Sequence, residues 1–295
     1  MTKLSREEMV KVYSDAQEFY KTREEMLKVF LDTQELYKTN QRLEESIKNT
    51  RSWVYNQFDY PEYDQNAIRE QKTVISSKRT FEAAQDALSD NPEIKVAVVN
   101  FANAFNPGGG VAAGCLAQEE SLCRISTLYP VISASEIYAR YYGANKKKQT
   151  PLATDSLIYS TDITVFKTDT DSPLLMPEEQ WYNLDVITVA APDLRYKYGL
   201  ANVKYKPFID EPQLFAIHLK RAIHLMTVAA SNKVDYLVLG AFGCGAFRND
   251  PHIVAKAYAQ ALDLFPKLFD TVEFAVYCSD PDKKNYRVFS EILNP

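Results

Sequence analysis

No run in this sequence approaches the roughly 20 consecutive apolar residues of a membrane span. Its opening residues, MTKLSREEMV, hold no apolar core of signal-peptide length. No membrane association is therefore expected, and the expected location is cytoplasmic, with the nucleus open in a eukaryotic cell. Histidine and cysteine are scarce, at three and four residues. Cys115, Cys123, Cys244 and Cys278 show no CxxC spacing, and with three scattered histidines they form no zinc pattern. Free thiols are expected, with neither metal nor cofactor. His218 and His224, six residues apart, do not share a helix face at ligand spacing and read as structural or surface side chains. An excess of positive charge is also missing. The net charge is −5, so no direct nucleic-acid binding is expected, and a polyanionic ligand would have to meet a local basic patch. What remains is a chain of 295 residues with 46% apolar content, enough for one large domain or two small ones.

The most informative stretch is Ile94–Tyr129, IKVAVVNFANAFNPGGGVAAGCLAQEESLCRISTLY. Ile94–Val99 is short, apolar and β-branched, which suits a strand buried on both faces. Asn100–Gly110 carries Asn, Pro and three consecutive glycines, so no regular element continues through it. Helical composition resumes around Ala117, with Gln118, Glu119 and Glu120 in the first turns. A strand, a glycine loop and a helix start make a place for an anion, because loop and helix N–H groups point at negative charge. Two carboxylates in that place suit a sugar hydroxyl, a metal or a proton transfer. The plainer alternative is a pair of solvated first-turn acids favoured by the helix dipole.

Residues 1–50 are charged and helical, and contain a tandem repeat. REEMVKVYSDAQEFYKT (Arg6–Thr22) recurs as REEMLKVFLDTQELYKT (Arg23–Thr39), with 12 of 17 positions identical. Each copy carries an apolar stripe at helical spacing, Met9, Tyr13, Ala16 and Tyr20, then Met26, Phe30, Thr33 and Tyr37. Seventeen residues at about 100° each fall roughly 100° short of five turns, so in one unbroken helix the stripes face different ways. The second copy is expected to dock on the domain; a self-association surface is the alternative. A boundary is placed between an N-terminal helical extension (1–50) and a main domain (51–295).

Farther on, Val54–Tyr63 reads as an aromatic loop, Thr73–Ile75 as an edge strand and Arg79–Leu88 as a helix. The helix from Gln118 is expected to run to Leu128 and end at Pro130, followed by a short helix over Ser133–Tyr142. Lys146, Lys147 and Lys148 read as a solvated loop, the alternative being contact with substrate phosphates. Ser156–Lys167 alternates and predicts a strand pair near the sheet edge. Val186–Ala190 is a strand, Tyr196–Glu211 a long loop or lid, and Pro212–Ala230 a helix. A second strand–glycine loop–helix unit follows: Tyr236–Leu239, then GAFGCGAF (Gly240–Phe247), then a helix capped by Asp250 with Pro251 at its first position. In a parallel sheet both glycine loops fall at the carboxyl edge, where ligands bind. A further strand over Thr271–Cys278 and a helix over Tyr286–Leu293 complete a mixed α/β fold.

Asn100-Phe101-Ala102-Asn103 with Gly108-Gly109-Gly110-Val111 resembles the first ligand loop of the macrodomain fold, and GGG followed seven residues later by Gln118-Glu119-Glu120 is similar to the signature of poly(ADP-ribose) glycohydrolases of the microbial type. GAFGCGAFRND resembles their second, diphosphate-binding loop. The resemblance covers roughly residues 23–295 and implies a macrodomain-like mixed sheet sandwiched between helices. It implies a glycosidase that hydrolyses ribose–ribose O-glycosidic bonds in poly(ADP-ribose), releases ADP-ribose as product, and acts poorly on the last, protein-linked unit. By resemblance Glu120 is the acid/base and Glu119 holds ribose hydroxyls, supported by Gln118. Asn103, Gly108, Gly109, Gly110 and Val111 form the first loop; Gly243, Cys244, Gly245 and Ala246 hold diphosphate; and Phe247 orients ribose. Adjacent glutamates about 100° apart on a helix cannot easily flank one bond, so a single carboxyl acting as acid and then base is expected. Its helix-start position lowers a carboxyl pKa, whereas a general acid needs it raised; substrate diphosphate is expected to supply the rise. The alternatives are a hydrolase of another ADP-ribosyl linkage on protein or nucleic acid, and a non-catalytic ADP-ribose reader. A monomer is expected.

Overall fold

The β-branched run after Lys95 forms β3 (Val96–Ala102), the central strand of a seven-stranded mixed sheet. The computed structural model describes residues 6–56, 59–195, 197–198, 204–205, 207–279 and 281–293; within them, side chains are described from residue 21 onward, and 197–198 and 204–205 by backbone alone. The other strands are β1 (Ser52–Tyr55), β2 (Lys72–Ser76), β4 (Leu157–Val165), β5 (Tyr182–Ala190), β8 (Tyr236–Leu239) and β9 (Thr271–Ala275). Their order is β1-β4-β5-β3-β8-β9-β2. The run from β5 to β2 is parallel, and β4 joins β5 antiparallel, with β1 antiparallel to β4 at the edge. A separate antiparallel pair, β6 (Lys197–Tyr198) and β7 (Lys204–Tyr205), is the described part of the expected long loop; the rest of the 196–206 segment, and with it the lid expectation, lies outside the described residues.

Period-two alternation divides β3 between two cores. Val96 and Val98 enter one apolar cluster, Ala97 and Val99 the other. The first cluster lies under α1 (Arg6–Thr39), α2 (Gln41–Asn49), α3 (Thr80–Asp90) and α4 (Gln118–Ile125); the second lies under α8 (Glu211–Ser231), α9 (Pro251–Leu264) and α10 (Lys284–Leu293). The result is a sheet sandwiched between helices.

Both repeat copies lie in one helix, α1. From the second copy, Met26, Phe30 and Thr33 are buried, and Tyr37 packs on the first cluster. The first copy's stripe, Met9, Tyr13, Ala16 and Tyr20, lies outside the described side chains.

Several expectations need correction. Val54 belongs to a strand, β1, not to a loop, because the β-formers Trp53, Val54 and Tyr55 pair with β4. The α4 helix stops at Ile125, since Ser126 bridges to Val165. Pro130 then sits in the first turn of α5 (Leu128–Ile132), where a missing N–H breaks no intrahelical bond. The next helix begins at α6 (Ser135–Ile137), passes through a π-turn (Tyr138–Tyr142) and continues as α7 (Gly143–Lys148). The three lysines therefore form a helix C-terminus, where the dipole favours cations. Ser156–Lys167 is one strand, not two: a bulge between Ser160 and Ile163, with Asp162 at φ 53°, reverses which face each residue meets.

Candidate active site

Because β5, β3, β8 and β9 are parallel neighbours, the four segments that leave their carboxyl ends converge on one edge. They surround a cleft of about 810 Å³. The first glycine loop follows β3 and the second follows β8. These strands pair only over Val96–Val98 and Tyr236–Val238, so the sheet opens where the loops begin. Gln118 closes the gap. Its Oε1 accepts the Phe101 N–H at 2.9 Å, and its Nε2 donates to the Val99 carbonyl at 2.7 Å and to Thr80 Oγ1 at 3.0 Å. A side-chain amide thus replaces a strand partner for two backbone groups.

Glu119 and Glu120 open α4 and are buried, at 3% and 8% exposure. The loop wraps around them. Glu119 Oε2 accepts the Asn103 N–H at 2.6 Å and Oε1 the Gly108 N–H at 3.1 Å. Glu120 Oε1 accepts the Gly110 N–H at 2.8 Å, and Glu120 Oε2 is buried without a hydrogen-bond partner. Asn103 Oδ1 accepts the N–H groups of Phe105 and Asn106, which turns the chain towards the glycines. Gly109 lies over both acids with φ 56°: a Cβ there would stand 2.5 Å from Glu120 Oε1 and 3.1 Å from Glu119 Oε2. Burial pushes the Glu119 carboxyl well above the usual range, against the opposing pull of the Asn103 and Gly108 N–H groups, and the Glu120 charge adds to the rise.

The second loop is held from below. Asn249 is buried, and its Nδ2 donates to the carbonyls of Pro192 at 2.8 Å and Gly243 at 3.1 Å. His218 Nε2 lies 2.9 Å from Asn249 Oδ1, and since the Asn amide already donates elsewhere, the ring N–H is the donor. Burial lowers the His218 pKa from 6.5 to about 4. Unfolded chains take up a proton below about pH 6.5 while the folded state refuses it until about pH 4. Stability present above pH 6.5 is therefore lost as pH falls across that window, by on the order of 3 kcal/mol. Urea unfolding of wild type at pH 7.5 and 4.5 is expected to show this loss. The change should be largely absent in His218→Gln, whose amide keeps a donor for Asn249.

Asn103, Gly109, Gly110, Gln118, Glu119, Glu120, Gly243, Gly245, Ala246 and Phe247 all line the cleft. Three expected residues stand behind it. Gly108 is buried and offers its N–H to Glu119; Val111 belongs to the core at 1% exposure; and Cys244 packs against the second cluster, with its Sγ 3.7 Å from the Phe242 carbonyl. Sequence reasoning missed Arg79, Asp169, Asp171, Arg195 and Tyr277, which also line the cleft. The Arg195 guanidinium lies 5.0 Å from the Phe247 ring centre and is held by Asp193 through Nε–Oδ1 and Nη2–Oδ2 bonds of 2.8 Å each. Arg79 lies 4.0 Å from the Tyr277 ring centre and pairs with Asp171, which leaves half-exposed Tyr277 as a platform backed by a cation. No local motif marks these residues, because only the strand order brings them to the loops. Among the described residues no group of three His, Cys, Asp or Glu is arranged to hold a metal, and no described helix is long and apolar enough to cross a membrane.

Residues 16–168 match the family model described as microbial-type PARG, catalytic domain. The chain is similar to poly(ADP-ribose) glycohydrolase from Thermomonospora curvata, solved with the inhibitor ADP-HPD: 27% identity, TM-score 0.75, covering 90% of this chain and 98% of that one. It is also similar to the Deinococcus radiodurans enzyme solved with ADP-ribose: 31% identity, TM-score 0.69, covering 85% and 96%. No match is found among curated proteins.

Proposed function

The chain belongs to the microbial-type poly(ADP-ribose) glycohydrolase family, and from that premise we propose that Glu120 is the acid and then the base in its cleavage of the polymer. One observation carries the assignment. Of the four oxygens of the two buried acids, Glu119 Oε1, Glu119 Oε2 and Glu120 Oε1 each accept a backbone N–H, and Glu120 Oε2 alone has no partner.

Breaking a ribose–ribose O-glycosidic bond builds oxocarbenium character on one ribose and negative charge on the departing oxygen. In this reading the Glu120 carboxyl gives its proton to that oxygen through Oε2. The resulting carboxylate then takes a proton from the water that attacks the ribose. Gly110 N–H holds Oε1 throughout, so the acid keeps one orientation for both steps. Glu119 fixes the loop through Asn103 and Gly108, and its carboxyl faces the same ribose. Burial outweighs those two N–H groups at Glu119 and holds its carboxyl well above the usual range.

The ADP portion lies along the cleft. The exposed backbone of Gly245 and Ala246 serves the diphosphate, with the Arg195 guanidinium in the same cleft. Phe247 orients the ribose, and the Tyr277 face suits a planar base. Wild-type protein is expected to release ADP-ribose from purified poly(ADP-ribose) and to leave a singly modified protein largely intact. Release only from the singly modified protein would replace the polymer with another ADP-ribosyl linkage. Tight ADP-ribose binding without release from either substrate would make the chain a reader.

A further inference from the structure

We infer that Arg23, the first residue of the second repeat copy, is a positioning residue for Glu120, so that the N-terminal helix takes part in the reaction. The inference rests on the glycohydrolase reading. Its basis is a continuous set of contacts between α1 and the catalytic carboxyl. Arg23 Nε donates to the Ala113 carbonyl at 3.1 Å, and its Nη2 lies 2.9 Å from Cys115 Sγ. Gly114, between them, has φ 67°, and a Cβ there would stand 2.0 Å from the Arg23 carbonyl oxygen. Helix and turn are thus in direct backbone contact. Arg124 donates to the Cys115 carbonyl.

Cys115 in turn fixes Gly110. Its Sγ would be 2.5 Å from a Cβ on Gly110, and the Gly110 carbonyl accepts the N–H groups of Ala113 at 2.9 Å and Cys115 at 3.1 Å. Gly110 and Cys115 therefore move together. The Gly110 N–H is the group that holds Glu120 Oε1. A shift of the Arg23 guanidinium reaches the acid through two intermediate residues.

Arg23 is not what keeps α1 on the domain. Met26 and Phe30 are buried there, with Phe30 edge-on to Tyr129 at 5.0 Å. Thr33 Oγ1 donates to the Arg124 carbonyl. Lys167 Nζ donates to Thr33 Oγ1 at 2.8 Å, to Asp32 at 2.7 Å and to the Val29 carbonyl at 3.1 Å. Docking and positioning are separable, which makes the role of Arg23 testable in the full-length chain.

The experiment compares wild type with Arg23→Gln, Arg23→Lys and Arg6→Gln, the last altering the matching residue of the first copy. Three readouts are taken: steady-state release from poly(ADP-ribose), ADP-ribose titration, and the rate of Cys115 alkylation by iodoacetamide followed by peptide mass spectrometry. Arg23→Gln is expected to lower kcat about 10- to 100-fold, with KM and ADP-ribose affinity within about threefold, because a carboxyl displaced by a fraction of an ångström loses alignment before the cleft loses its ligand. The Cys115 alkylation rate should change several-fold, since the substitution removes both a cover and a cation from its Sγ. Arg23→Lys should recover part of the rate, and Arg6→Gln should match wild type. Wild-type kcat in Arg23→Gln would overturn the inference whatever the alkylation rate, as would an equal loss in Arg6→Gln. If wild type itself releases nothing from the polymer, the functional reading fails instead, and the alkylation and binding comparison still decides whether Arg23 fixes this loop.

Discussion

Glu120→Gln is expected to lower ADP-ribose release from poly(ADP-ribose) by about 10³-fold or more, since in the proposed mechanism one group serves both proton transfers and each is worth about 10²–10⁴. The substitution is conservative in every other respect. A glutamine carbonyl can still accept the Gly110 N–H that now meets Oε1 at 2.8 Å. Its NH2 would take the place of Oε2, the oxygen without a partner, and there it can neither lend nor take a proton at neutral pH. ADP-ribose affinity should stay within about threefold of wild type, because no binding contact is removed. Release assays beside an equilibrium titration would check both halves. Retained turnover in Glu120→Gln would move the acid/base role to Glu119 or out of this loop.

The second large effect is expected from Gly109→Ala, which adds one methyl group and no charge. At φ 56° a Cβ carries a backbone cost of roughly 1–2 kcal/mol. The methyl would also meet Glu120 Oε1 at 2.5 Å and Glu119 Oε2 at 3.1 Å, so both carboxyls have to move, and both are tied to loop N–H groups that would move with them. Turnover should fall about 100-fold or more. The thermal midpoint should drop by only a few degrees, because the strain is local and a change of about 1 kcal/mol shifts a domain of this size by about 2–4 °C. Near-wild-type turnover would show that the loop can relax away from its acids. A loss matched by the unfolded fraction at the assay temperature would reduce the effect to stability.

Much of this site was legible because its chemistry is local in sequence. The strand into GGG, the helix start at Gln118 and the Asp250-Pro251 cap are each set by a few adjacent residues, and the structure has β3, α4 and α9 there. What was not legible depends on distant partners. Ser156–Lys167 reads as a strand pair until the Asp162 N–H is seen to meet Asp185 Oδ1 at 3.0 Å across the bulge. Pro130 reads as a stop until Ser126 is seen to bridge to Val165. Arg79 and Tyr277 lie far apart in the chain and meet only because β9 and the start of α3 share an edge. The lysines of α7 look like loop because a six-residue helix ending in three cations has no apolar period to detect.

The repeat has a consequence in evolutionary terms. Its junction falls between Thr22 and Arg23, and the Arg23 contacts with Ala113 and Cys115 belong to the inner copy. A duplication with that junction lengthens the gene outward and leaves the inner contacts in register. Slippage between the copies is not symmetrical, however. A contraction that keeps the outer sequence in the inner place would put tyrosine at Phe30 and alanine at Thr33, the two most deeply buried positions of the docked stripe. Alleles that rewrite the inner copy would lose these packed positions, so selection should hold the inner sequence close to its present form.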